Sequence, residues 1–334
     1  MIKKLLFLLV LLLTATTGAW AQEPAKYKVT LQEGTEDAKN WTVPAEAAEG
    51  SPVTATYSGS KKVKSVKAVK KVDPKLATPL TIEAITPGII SVSNPKEGMQ
   101  YSKNGGAKTA VTTDAIDVAA GDKVQFYGKG TSITSYGSNV MIECTQITGS
   151  GNGFTCKVYG NIMSLVDEKN FATAKTLSAT YTFKFLFYNN TKLTDASGLL
   201  LPATQLQESC YFSMFSKCAA LTAAPALPAT QLADYCYESM FNECSALTAA
   251  PVLPAKKLVN RCYYSMFNYC SNLATVTCLA TSGINQDNST SYWLNVAGSD
   301  VQGTKTVNTV STANWPVDNH GGIPTGWTRV NIDN

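Results

Sequence analysis

Six of the nine cysteines in this 334-residue chain come as three pairs: Cys210 and Cys218, Cys236 and Cys244, Cys262 and Cys270. Thiols invite two chemistries, a disulfide framework or a zinc site. Spacing argues against both. Eight residues along a helix span about 12 Å, and a disulfide needs Cα atoms within about 7 Å. Equivalent cysteines on neighbouring helices would stand about 8–10 Å apart. Cysteines that recur every 26 residues fit no compact zinc pattern. These six are expected to be buried thiols that pack as small hydrophobes. Cys144 and Cys156 differ, because they flank the turn GSGNG and would face each other across a hairpin. Val140 and Ile142 share the face of Cys144, and Phe154 and Val158 share that of Cys156, so both would point inward. A disulfide and two packed thiols are the alternatives there. Cys278 falls where the repeat dissolves and has no assignment.

The single histidine, His320 in VDNHGGIP, excludes any metal site built on two or three imidazoles. No G-x-S-x-G elbow exists to supply a serine nucleophile, so His320 is expected on a surface loop. Glu33, Glu36 and Asp37 in EGTEDAKNW lack the alternating oxygen ligands of a calcium loop and read as a solvated turn. Six lysines lie in KKVKSVKAVKK at 61–71. The interleaved valines suggest a strand with one wet basic face; contact with an anionic glycan or surface polymer is the alternative. No catalytic residue, metal or cofactor is expected.

The elements that must position the cysteines repeat. Residues 201–278 divide into three frames of 26: LPATQLQESCYFSMFSKCAALTAAPA, LPATQLADYCYESMFNECSALTAAPV and LPAKKLVNRCYYSMFNYCSNLATVTC. The first two agree at 18 positions and the last two at 13. Such a period indicates a leucine-rich solenoid whose coils bury their apolar faces only by stacking. In the first frame Leu206, Cys210, Met214 and Cys218 step by four, with Tyr211 and Phe215 beside them. That stripe predicts one amphipathic helix per coil. The structural core then comprises Cys210, Met214, Phe215 and Cys218; Cys236, Met240, Phe241 and Cys244; and Cys262, Met266, Phe267 and Cys270. The Thr/Ala/Pro stretch after each Leu should stop the helix and form a short strand or extended arm. A worn frame, FLFYNNTKL, aligns Phe187 with Phe215, Asn190 with Cys218 and Leu193 with Leu221, which makes about four coils. The changing positions carry Phe212, Tyr235, Tyr264 and Tyr269. Aromatics on the variable face of a repeat array are where a binding surface would be built.

The frame F-x-x-C-x-x-L, at Phe215/Cys218/Leu221, Phe241/Cys244/Leu247 and Phe267/Cys270/Leu273, resembles the BspA-like leucine-rich repeats of surface and secreted proteins from Bacteroidetes. The chain departs from that family in using Met-Phe where Ala-Phe is frequent, and in a slightly longer frame. YGNIMSL at 159–165 and GGIPTGW at 321–327 are similar to segments that accompany such repeats. The resemblance implies a non-enzymatic module that binds host or matrix proteins.

Residues 1–21 have a basic start at Lys3 and Lys4, an apolar run from Leu5 to Leu13, and Ala19-Trp20-Ala21 before Gln22. This is the pattern of a cleaved secretory signal peptide, too short to be a spanning helix of roughly 20 residues. No cysteine follows the site to carry a lipid anchor. The expected product is exported to the cell surface, the periplasm or the medium, with no stable membrane span. The formal charge of +4 falls to +2 without Lys3 and Lys4, and charged residues make up only 16% of the chain, against about 25% typically. Nucleic-acid binding, which needs many phosphate contacts from Lys and Arg, is therefore not expected.

The expected fold is mixed. A signal peptide (1–21) precedes a small β domain (22–78) and a β-sandwich-like domain (79–165). A leucine-rich solenoid with strand and helix in each coil (166–281) follows, and then a cap (282–334) bearing Trp293, Trp315 and Trp327. The expected function is adhesin-like binding of a protein or glycan at the cell exterior. A structural spacer of the cell envelope is the alternative. A glycan-processing enzyme with two carboxylates is a weaker one, because the acids of the frames, Glu208, Asp234, Glu238 and Glu243, all sit at changing positions.

Overall fold

In a computed structural model, the structure describes residues 11–12, 26–29, 38–48, 56–59, 70–71, 73–128, 138 and 141–332. Most of the expected signal peptide, the acidic group Glu33, Glu36 and Asp37, and the lysine run up to residue 69 lie outside them. The chain forms two compact units, residues 1–77 and 78–334. The expected boundaries at 165 and 281 both fall inside the second unit.

The first unit holds two small sheets. One contains β1 (Leu11–Leu12), β2 (Lys26–Val29), β4 (Glu46–Ala48) and β6 (Lys70–Lys71), in the order β4-β2-β1-β6. The other pairs β3 (Trp41–Thr42) with β5 (Thr56–Tyr57). There the Trp41 and Tyr57 rings lie 4.9 Å apart.

The second unit opens with β7 (Thr81–Ala84), β8 (Gly88–Ser93), β9 (Gln100–Lys103), β10 (Thr109–Ala110), β11 (Ile116–Val118), β12 (Lys123–Tyr127), β13 (Gln146–Ser150), β14 (Cys156–Asn161) and β15 (Leu193–Leu200). A six-stranded sheet runs β10-β9-β12-β7-β14-β15, and a three-stranded sheet runs β11-β8-β13. Alternation along the strands puts Ile82, Val124, Phe126 and Val158 from one sheet, and Ile90, Val92 and Ile147 from the other, into one continuous core. The pairing of β14 with β15 is parallel and carries the first sheet into the repeats. The segment GNIMSL is the joint. Gly160 has φ +85°, and a Cβ there would strike the carbonyl of Pro79. Buried Asn161 accepts from the Met163 amide and donates to the Phe171 carbonyl. Ser164 accepts from the Leu80 amide and donates to the Phe126 carbonyl, at 2.9 and 2.8 Å.

The repeats overturn the expected fold class. Among the described residues there is no α-helix, only short 3₁₀ turns, and the strands fall into five small, unclosed sheets. A solenoid with a helix in each coil, preceded by β-sandwich domains, is not formed. Each frame instead folds as a run of four-residue turns. Ser209, Ser213 and Lys217 all have φ between +51° and +64°. So do their equivalents Tyr235, Ser239 and Glu243, with φ +54° to +60°. Arg261, Ser265 and Tyr269 repeat the pattern at +49° to +58°.

The backbone account closes on this pattern. The amides of Cys210, Phe212, Met214, Ser216 and Cys218 bond three residues back. Those of Ser209, Tyr211, Ser213, Phe215 and Lys217 bond carbonyls of the next frame, Asp234, Cys236, Glu238, Met240 and Asn242. No amide of that run is left over, which a buried backbone requires. Isolated parallel bridges such as Asp195 to Ala223 and Ala249 to Thr275 tie the Thr/Ala/Pro arms together.

The same turns recur beyond the three frames. Tyr181, Phe185 and Asn189 make an earlier run, and Asn288, Tyr292 and Val296 a later one. The later run lies in the segment expected to be a cap. Its identity is hidden in the sequence because Ser289, Trp293, Leu294 and Ala297 replace the inward Cys, Met, Phe and Cys. On either side of it in the chain, β16 (Thr275–Cys278), β17 (Lys305–Val310) and β18 (Trp327–Ile332) form a parallel sheet. Trp293 and Trp315 stack at 5.1 Å, and Trp293 Nε1 donates to the Gly322 carbonyl. Asp318 Oδ1 accepts from the amides of His320, Gly321 and Gly322.

Candidate functional site

Each four-residue turn sends two side chains inward and two outward. The inward pair builds two aromatic ladders. Phe187, Phe215, Phe241 and Phe267 stack at 5.3, 5.6 and 5.6 Å; Tyr211, Tyr237 and Tyr263 stack at 5.6 and 6.2 Å. The twelve residues expected to form the repeat core are all fully buried: Cys210, Met214, Phe215, Cys218, Cys236, Met240, Phe241, Cys244, Cys262, Met266, Phe267 and Cys270. The second cysteine of each frame has a specific partner. Cys218, Cys244 and Cys270 direct Sγ at the carbonyls of Phe187, Phe215 and Phe241, at 3.1, 3.1 and 3.0 Å. Burial pushes the Cys210, Cys262, Cys270 and Cys278 thiols up to about 12.

The other two cysteines correct the hairpin expectation. β13 and β14 belong to different sheets, so Cys144 and Cys156 do not face each other across a ladder. Both are buried thiols rather than halves of a disulfide. Cys144 Sγ lies 3.1 Å from the Ser138 amide, and burial pushes the Cys156 thiol up to about 12.

The outward pair of each turn forms one face across the stacked frames. All four aromatics expected to contact a partner lie on it. Tyr269 is half exposed, and Phe212, Tyr235 and Tyr264 are partly buried. Cations lie against the rings. Arg261 Cζ is 4.0 Å from the Tyr264 centroid and 5.5 Å from that of Tyr235. Lys184 Nζ is 4.5 Å from the Phe212 centroid and 4.9 Å from that of Tyr181. Arg261 Nη2 donates to Glu238 Oε1 at 2.7 Å, and Glu238 is only 5% exposed. Burial raises the Glu238 carboxyl above its ordinary range, with Arg261 and then Lys184 pulling it back. Burial likewise lowers the Lys184 ammonium.

Lys184, Arg261 and Tyr292 were not singled out in the sequence, and Glu238 was noted only as an acid at a changing position. For Lys184, Glu238 and Arg261 the signal was available, since each occupies a position equivalent to one of the chosen aromatics in a neighbouring run; Tyr292 instead takes the place of Ser213, Ser239 and Ser265. His320 is exposed and meets Tyr292 edge to face at 4.4 Å. A separate shallow cleft is lined by Lys96, Glu97, Gln100 and Glu168. Lys108 bonds Glu168 at its edge and covers the Tyr127 ring.

Among the described residues no group of three or more His, Cys, Asp or Glu side chains is placed to hold a metal ion. No helix there is long and apolar enough to cross a membrane. Comparison with protein-family models, curated proteins and solved structures found no match to this chain.

Proposed function

We propose that the protein is an exported, non-catalytic binding module of adhesin-like type, which engages a protein or glycan outside the cell through the outward face of its turns. The observation that carries this reading is the concentration of aromatic and charged groups there, centred on Arg261 between Tyr235, Tyr264 and Glu238. Aromatic and arginine side chains dominate binding hot spots because they combine large contact area with directed polar groups. The signal-peptide pattern of residues 1–21 and the resemblance of the frames to BspA-like surface proteins support the same reading.

The test has two arms. Protease treatment of intact cells should degrade the chain; protection until the outer membrane is broken would sink the surface assignment. Purified matrix proteins and soluble glycans should retain the wild-type chain. Tyr235→Ala and Tyr264→Ala should each weaken retention by about tenfold or more, as for the loss of a hot-spot aromatic. Binding untouched by both substitutions would refute the choice of face.

A further inference from the structure

We infer that a second copy of this chain docks on β18, edge to edge, about a two-fold axis that passes beside Val330. The inference goes beyond the binding reading above and does not depend on it. The stack of runs has two ends, and they differ. At the first end the chain covers itself. The Ile147 amide donates to the Leu186 carbonyl of the earliest run, and Asn190 Nδ2 donates to the Ile147 carbonyl. At the other end, among the described residues, β18 pairs with β17 alone. The Thr306 amide turns away from β18, to the Ala274 carbonyl. By the alternation of a parallel ladder, Val307 and Thr309 then face β18. Arg329 and Asn331, opposite them, turn their backbone groups to the open side. The last run is open at the same end. One run earlier, the amides of Ser265, Phe267 and Tyr269 all reach carbonyls of the run that follows. Of their equivalents, Tyr292 reaches the His320 carbonyl, while Leu294 and Val296 reach no backbone carbonyl among the described residues.

An open strand edge is a template for another strand edge. β18 spans six residues, whereas the other edge strands not joined to the runs, β3, β4, β5, β6, β10 and β11, span two or three. Within a second copy, therefore, only β18 matches β18 in length. Two identical strands related by a two-fold axis across their edges meet antiparallel. The strand suits its own copy. Arg329, its single charged residue, is bonded within its own chain, to Thr309 Oγ1 and the carbonyls of Val310 and Ala313 at 2.7, 3.2 and 2.7 Å. No like charges then face each other across the axis. No proline and no bulge blunts the edge. Setting Arg329 opposite Asn331 of the copy lets both residues exchange amide and carbonyl bonds. It also brings Val330 against its own equivalent as the non-bonded pair, with Cα atoms about 4.5 Å apart. Val330 is 38% exposed in the single chain, and this pairing takes its apolar surface out of water.

Sedimentation equilibrium of the full chain tests this. The mass should pass from that of one chain to that of two as concentration rises, with a dissociation constant of about 10 μM. Val330→Asp sets like charges against each other at the axis and should weaken pairing by about tenfold or more. Asn331→Pro removes only an amide that faces the open side, which an edge strand tolerates, and should do the same. Both variants, diluted to single chains, should keep the wild-type melt, which separates lost pairing from lost folding. Val330→Cys should link two chains by a disulfide on mild oxidation, since Cα atoms about 4.5 Å apart lie within disulfide reach and the native cysteines are all buried. Tyr269→Cys, on the outward face of the runs, should not. A single-chain mass up to about 1 mM, pairing unchanged in both strand variants, or a link through Tyr269→Cys in place of Val330→Cys would overturn the inference. So would a chain that stays single and pairs only with an added strand of another sequence.

Discussion

Cys244 sends its thiol to the carbonyl of Phe215 in the preceding run, 3.1 Å away, and Cys218 and Cys270 do the same to theirs. At the equivalent place in the earliest run stands Asn190, whose Nδ2 donates to the Ile147 carbonyl at 3.2 Å. A small side chain with one donor is what the position demands, and both Cys and Asn supply it. The thiols are therefore structural and protonated, which gives a direct expectation. Burial holds Cys156, Cys210, Cys262, Cys270 and Cys278 near 12, and a thiol attacks as its thiolate. At pH 8 the folded chain should leave a thiol reagent such as dithionitrobenzoate unreacted for hours. All nine cysteines should react at once in guanidinium. Rapid labelling of any repeat cysteine in the native state would contradict their place in the core.

The turn run explains why the sequence pointed to a helix. Side chains stepping by four stay on one side of a helix for a few turns, because four residues rotate only about 40° past a full circle. Over the nine residues from Cys210 to Cys218 the two patterns look alike. A four-residue turn repeats without drift, so Cys, Met and Cys stay aligned with Tyr and Phe beside them. Its cost is one left-handed residue per turn, about 1–2 kcal/mol each for a non-glycine side chain. The amides that bond the next run offset this, and those partners are 25 residues distant from Ser209 and Tyr211. Val296 bears the cost least well, being β-branched at φ +56° and 45% exposed. Val296→Asn should stabilise the chain by about 1 kcal/mol, read as a higher urea midpoint at unchanged slope. A lower midpoint would show that the left-handed turn is not strained there.

On the scale of the whole second unit, stacking makes each frame exchangeable with its neighbours. Deleting residues 227–252, one whole frame, joins Ala226 to Leu253 in the same phase as before. That chain should remain folded, with a cooperative melt at lower temperature. Deleting 227–239 breaks the phase and should abolish the melt. Equal behaviour of the two deletions, followed by circular dichroism, would refute the stack. The period of 26, the inward residues and the outward aromatics were legible because burial and spacing are local properties of a repeated pattern. The later run at 288–296 was not, since Trp293 and Leu294 fill the inward space by volume without keeping the letters.

The sequence by itself determined which side chains of the repeats are buried and how often the unit recurs. Each follows from the size, polarity and spacing of neighbouring residues. Only the tertiary structure decided that the unit is a turn rather than a helix, that Cys144 and Cys156 lie on different sheets, and that Glu238 meets Arg261. The physical reason is common to all three. A helix closes its hydrogen bonds within four residues, whereas these turns, sheets and ion pairs are completed by partners in another run or strand, 23 residues or more away, and a single frame carries no record of what will stand beside it.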